Sequence, residues 1–264
     1  MPVARISGEG AACISCHTSL PYALVEPETR QAFENMWAEQ IQAGPAAGRW
    51  HWIQANLVPW EVADSDLWGA SVACVAAGIF PELAPPDNLR LLHETLRRAA
   101  SDDEVSLHVK SAILWCDAET GGSVLEDGAA ERIASNLLDL QRDDGGWALR
   151  ELGPWTGWEG SRSDCCGQRE IRPDAYATGF VTLALARNPA LLGDEGGGQL
   201  DNAVAWIERQ LANPYPEEPR YNTHDTGDDD LPEFRNNLYT NAGHMWAYLA
   251  KDVHSEQSAP WARK

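Results

Sequence analysis

The chain is predicted to be all-α, with about four helical hairpins arranged in two concentric layers. Helical periodicity runs through most of its 264 residues, and amphipathic helices alternate with helices that are apolar on most of their circumference. Gly- and Trp-rich loops recur after amphipathic helices. An amphipathic helix covers one side of a core, whereas a helix that is apolar all round must be surrounded by protein. At 44% hydrophobic with 12 Trp, the chain can bury one substantial core.

Taken in order, Pro27 to Ala43 places Phe33, Met36, Trp37 and Ile41 on one face and stops at Gly44-Pro45. Ser65 to Gly78 is the first near-apolar helix. Asp87 to Ala100 is amphipathic through Leu89, Leu92, Leu96 and Ala99. Ser101 is expected to cap the next helix, with Asp102, Asp103 and Glu104 in its first turn, where carboxylates favour the positive end of the macrodipole. The stripe of that helix is Val105, Val109, Ala112, Ile113 and Cys116, which places His108 on the solvent side. Asp127 to Gln141 buries Ile133, Ala134 and Leu137, and Gln199 to Ala212 buries Ala203, Val204, Ile207 and Leu211 before stopping at Asn213-Pro214. Asp174 to Arg187 and Asn236 to Ala250 complete the near-apolar set. Asp66, Asp174 and Asn237 stand at equivalent places where these helices open, and capping of orphan backbone N–H groups is the preferred role over ligand binding.

The linkers repeat. Gln141 to Trp147 follows one amphipathic helix and precedes Asp174; Gln42 to Gly48-Arg49-Trp50 follows another and precedes Asp66. A third copy, around Trp206 to Gln210 and Asn237, has lost its G-x-W. Repeated hairpins of this kind bury one another's apolar faces.

Cys13-Ile14-Ser15-Cys16-His17 is the most chemically specific stretch. In C-x-x-C-H the two thiols add across haem vinyl groups and the histidine becomes the proximal iron ligand, so all three residue types are needed at this spacing. The alternatives are half of a zinc site, which needs two further ligands, or a redox pair. Haem c is the expected cofactor, with Cys13, Cys16 and His17 attaching it and His17 on the iron. The distal position falls to His51 first, because Trp50 and Trp52 flank it, ahead of Met36, His244, Met245, His93, His108, His224 and His254. Of the other cysteines, Cys74 and Cys116 lie in apolar helices and are expected to be buried free thiols, and Cys165-Cys166 lies in a polar loop.

Forty acidic residues against 20 basic ones give a formal net charge of −20, which excludes a nucleic-acid backbone or an anionic membrane surface as partner. No run approaches the roughly 20 apolar residues of a membrane span. Residues Met1 to Ala12 have no apolar run and do not read as a signal peptide. Haem attachment nevertheless belongs to extracytoplasmic compartments, so the expected location is periplasmic or secreted with haem, and cytoplasmic without it.

Gln141 to Trp147 fits Q-x-x-x-G-x-W and in this resembles the QW repeat of the squalene-hopene cyclase, oxidosqualene cyclase and prenyltransferase superfamily. Cys13 to Leu24 resembles the c-haem segment that precedes such a domain in bacterial squalene-cyclase-like proteins, and Pro173 to Gly179 fits the same group. The resemblance implies an α/α toroid with QW-type loops over residues 27–264, preceded by a haem-attachment segment over 1–26. It does not carry the cyclase activity across. The D-x-D-D proton donor is absent, Asp228-Asp229-Asp230 reads as a solvated loop, and the length admits one toroid where such cyclases have two.

The functional expectation is therefore a c-type haem-bearing toroid in electron transfer, haem sensing or another redox role, partnered by a redox protein. One rival is an isoprenoid-binding or cyclase-like protein with a small apolar ligand among Trp residues such as Trp50, Trp52, Trp60, Trp147, Trp155 and Trp158. The other is a non-catalytic helical scaffold with structural or zinc-binding cysteines.

Overall fold

Among the described residues, helices form where apolar residues recur with helical period. The computed structural model describes residues 30–51, 65–155, 173–212, 246, 249–251 and 253. Within them run α1 (Arg30–Ala38), α2 (Ser65–Ile79), α3 (Pro86–Ala100), α4 (Leu107–Glu119), α5 (Ala129–Asp139), α6 (Ala175–Ala186) and α7 (Gly193–Ala212), with short 3₁₀ turns at Pro81–Leu83, Leu149–Leu152 and Pro189–Leu191. No strand occurs among the described residues, and the fold is all-α. None of the described helices is long and apolar enough to cross a membrane. The chain divides into two compact units, residues 1–129 and 130–264.

In the first unit α2 packs most extensively on α4, and α3 packs on both. Three contacts fix the direction of the α2–α4 pair. Near their N-termini the Trp68 indole stacks on the His108 imidazole, with ring centroids 5.9 Å apart and planes within 5°. In the middle Cys74 and Cys116 are joined by a disulfide, their Cα atoms 5.5 Å apart. At the C-termini Gly78 lies so close to the backbone of Glu119 that a Cβ there would sit 2.7 Å from its carbonyl carbon. The two helices therefore run parallel, and α3 returns the chain between them.

The disulfide corrects the expectation of free thiols at Cys74 and Cys116. Both are fully buried, as a small apolar residue should be, but the parallel register brings the two sulfurs together, and spacing along the chain does not reveal that.

Helix α4 departs from its predicted stripe. His108, Val109, Ser111 to Cys116 and Asp117 are all buried, so it belongs with the near-apolar helices and His108 does not face solvent. Two of its polar groups are satisfied locally: Ser111 Oγ donates to the Leu107 carbonyl at 2.7 Å, and Asp117 Oδ1 accepts from the N–H groups of Val124 and Leu125 at 2.9 and 2.8 Å. Ser101 is likewise not its cap. Asp102 accepts from Glu104 N–H in a turn that delays the helix, and Ser106 caps it by accepting from Val109 N–H at 3.3 Å. Ser101 instead ends α3, whose Asp87 in the first turn and Arg97 and Arg98 in the last complement the macrodipole.

In the second unit every residue of α6 is buried, and α7 packs against it. Tyr176, Phe180, Val181 and Leu185 of α6, Leu137 of α5, and Ala203 and Ile207 of α7 are all buried. Of the last predicted near-apolar helix only isolated positions are described; Trp246 and Ala250 are buried, and the Trp246 ring meets Phe180 edge-on at 5.4 Å.

The recurring Gln and Trp form the same clamp in each unit. In the second, Gln141 Nε2 donates to the carbonyls of Gly145 (2.9 Å) and Gln199 (2.8 Å), Gln199 Nε2 donates to Leu138 O (3.2 Å), and Trp147 Nε1 donates to Leu137 O (2.6 Å). In the first, Gln40 Nε2 donates to the carbonyls of Gly48 (3.2 Å) and Asn88 (3.1 Å), Asn88 Nδ2 donates to Trp37 O (3.1 Å), and Trp50 Nε1 donates to Met36 O (2.6 Å). Gly48 and Gly145 have φ of +84° and +94°, and a Cβ on either would strike a carbonyl of the next amphipathic helix, Leu91 O of α3 at 2.7 Å or Asn202 O of α7 at 2.5 Å. The first copy starts at Gln40 rather than the predicted Gln42, because its loop is longer between glutamine and glycine. Each clamp ties the end of one amphipathic helix to the N-terminal half of the next and buries an indole beneath it.

Candidate functional site

Cys13, Cys16 and His17 lie outside the described residues, as do Trp52, Trp60, Trp158, Cys165, Cys166, His224, Asp228 to Asp230, Asn237, His244, Met245 and His254. Of the predicted cofactor-binding residues, His51 is described. Its ring is exposed, directly after the clamp residue Trp50, which is 2% exposed and meets Trp37 at 5.5 Å. Met36 is buried beside them, its carbonyl taken by the Trp50 indole.

Two residues before His51, Arg49 Nη1 pairs with Asp66 Oδ2 at 3.1 Å, linking the loop to the first turn of α2. Asp66 is thus an ion-pair partner at a helix start. Its Oδ1 and Arg49 Nε are both buried with no hydrogen-bond partner among the described residues. One helical step on, Trp68 meets His108. The N-terminal ends of the parallel helices α2 and α4 therefore gather Arg49, Asp66, Trp68 and His108, with His51 adjoining in sequence.

His108 is the electrostatically unusual member. Complete burial pushes its pKa down from the ordinary 6.5 to about 3, so the imidazole stays neutral through the physiological range. His93, on α3, is also held below its usual value, first by burial and then by the Arg97 guanidinium, with Asp117 pulling the other way. Its Nε2 is buried with no hydrogen-bond partner among the described residues.

The buried carboxylates do structural work. Asp174 Oδ1 accepts from Ala177 N–H at 2.8 Å as the cap of α6, and Oδ2 accepts from Leu149 N–H at 2.7 Å, which bears out capping over ligand binding at this position. Asp117 holds the 124–125 turn. Trp50, Trp147 and Trp155 each donate to a backbone carbonyl and pack within their own unit, so these three are staples. No group of three or more His, Cys, Asp or Glu with metal-site geometry occurs among the described residues.

Sequence reasoning gave Arg49 and Trp68 no role at a site, and it placed His108 on the solvent side, where the structure buries it. The available signal was the polar residue at the second position of an otherwise apolar helix, which an amphipathic assignment turned outward. No family model, curated protein or solved structure matches the chain.

Proposed function

We propose that this protein is an extracytoplasmic c-type haem carrier in which an α/α toroid supports a haem attached at the N-terminal C-x-x-C-H, serving electron transfer, haem sensing or another redox reaction. The observation that carries the reading is Cys13-Ile14-Ser15-Cys16-His17. The repeated Gln–Gly–Trp clamp supports the toroid, because it is the device by which helical hairpins of one kind stack on their neighbours. The parallel run of the buried helices α2 and α4, connected by α3, which packs on both, is the local geometry such stacking requires.

The donor set fits the group. Cys74 and Cys116 are sequestered in their own bond, which leaves Cys13 and Cys16 as the thiols with a histidine at the right spacing. Cys13, Cys16 and His17 would hold the haem, and the exposed His51 would be the candidate for a second bond to it. The bound iron provides one-electron chemistry or a ligand-sensing position. From His17 to Arg30 the chain can span at most roughly 45 Å, against roughly 13 Å for the length of α1, so the end of the unit bearing His51 is within reach.

The test is export of the full chain through a competent c-type maturation system, followed by denaturing mass spectrometry and absorption spectroscopy. The expected result is a mass increase of one haem, a Soret band, and loss of both in the Cys13→Ala/Cys16→Ala variant. Exported protein without added mass ends the proposal.

A further inference from the structure

Two pairs of cysteines face opposite demands if Cys13 and Cys16 carry haem. Addition of a thiol S–H across a vinyl C=C consumes the S–H and releases no electrons, so a Cys13–Cys16 disulfide has nothing to add until a reductant restores it. Cys74 and Cys116, by contrast, are joined. We infer that the Cys74–Cys116 bond is a permanent structural disulfide, acquired in an oxidising compartment and shielded by the α2–α4 packing from reductant that keeps the haem-attachment cysteines as thiols. The last clause rests on the haem reading; the rest does not.

The geometry argues for a bond rather than for two thiols that happen to be neighbours. The Cα separation of 5.5 Å is the common one for a disulfide. The Trp68–His108 stack on one side and the Gly78–Glu119 contact on the other hold the helices in register, so the sulfurs meet without backbone movement. Closing the bond releases a proton from each thiol and passes two electrons to the disulfide of a thiol-oxidising protein, which departs as its dithiol; such exchange belongs to extracytoplasmic compartments.

Shielding follows from burial. Reduction requires a thiolate to approach a sulfur of the bond, and both cysteines are 0% exposed, among Ala73, Val75, Ala112 and Ile113, which are equally inaccessible. A reductant must wait for α2 and α4 to separate, which makes reduction of this pair slow. One chain can thus hold an oxidised and a reduced pair in the same compartment through a difference in rate.

The experiment uses the full chain, exported behind a secretion leader. Native protein is incubated with or without dithiothreitol, quenched, unfolded in light iodoacetamide, then reduced and alkylated with the heavy reagent before peptide mass spectrometry. Cys74 and Cys116 are expected to carry only heavy label in both samples, and only light label when dithiothreitol is added after unfolding. The same chain retained in a reducing cytosol is expected to carry light label at both. Light label in the untreated exported chain, or after native dithiothreitol as completely as after unfolding, overturns the inference; heavy label in the cytosolic chain overturns the assignment of compartment. Haem is scored on the Cys13 and Cys16 peptides of the same digest. Haem mass there with light label at Cys74 sinks the disulfide and spares the haem, and heavy-only Cys74 and Cys116 without haem mass does the reverse.

Discussion

Gln141 and Gln199 are locked by crossed amide bonds: Gln141 donates to the carbonyl of Gln199, and the side chain of Gln199 donates back to Leu138, close to the helix end that Gln141 follows. Gln40 and Asn88 repeat the exchange in the first unit with a shorter amide. Neither helix end can shift along the other without losing two hydrogen bonds at once.

Trp147 is the apolar half of that clamp. It is 0% exposed, and Trp147→Ala should destabilise the protein by about 3–5 kcal/mol, as truncation of a large core aromatic does. Gln141→Leu, which strips donors from two carbonyls, should cost about 1–3 kcal/mol. Chemical unfolding checks both, and a Trp147→Ala effect below about 1 kcal/mol would remove the clamp from any account of stability.

Gly145→Ala should cost more than about 2 kcal/mol, because a left-handed backbone and a clash with Asn202 O act together. The new methyl meets backbone, which cannot swing aside. An unchanged denaturation midpoint would mean the loop relaxes freely.

Joining Cys74 to Cys116 closes a loop of 42 residues, for which chain entropy predicts a contribution of about 4 kcal/mol. The Cys74→Ala/Cys116→Ala variant should unfold at correspondingly lower denaturant. Wild type reduced in the unfolded state and refolded in reductant should lose a similar amount.

His108 gives a pH dependence. Its folded pKa of about 3 lies below the ordinary 6.5 of the unfolded chain, so between those values the unfolded state binds the extra proton. Stability must fall as pH falls through this window, with a slope approaching about 1.4 kcal/mol per pH unit from this residue. Urea titrations between pH 7 and 4 should show His108→Gln losing less stability than wild type over the same range. Parallel curves would show that His108 takes up its proton in the folded protein.

Helix positions were legible in the sequence because their apolar residues are numerous and their stops are marked by Gly and Pro. The Gln141–Trp147 clamp was legible because its loop is short; its counterpart was displaced from Gln40 to Gln42 because extra residues separate glutamine from glycine, and no local pattern marks which glutamine reaches the next helix. Helix α4 was misread because Ser111, Asp117 and His108 look like a solvated face until their partners are known, two of them satisfied by their own helix or the turn that follows it. The Cys74–Cys116 bond depends on two helices running in the same direction with α3 intervening, and parallel register is a tertiary property that neither segment encodes alone.

The α2–α4 pair is fastened at three heights: a ring stack, a covalent bond and a backbone contact. Helices held this way do not fray one at a time. In a hydrogen–deuterium exchange experiment their central amides should become accessible as a single cooperative block, with the slowest exchange in the first unit, while the 120–128 turn exchanges ahead of them.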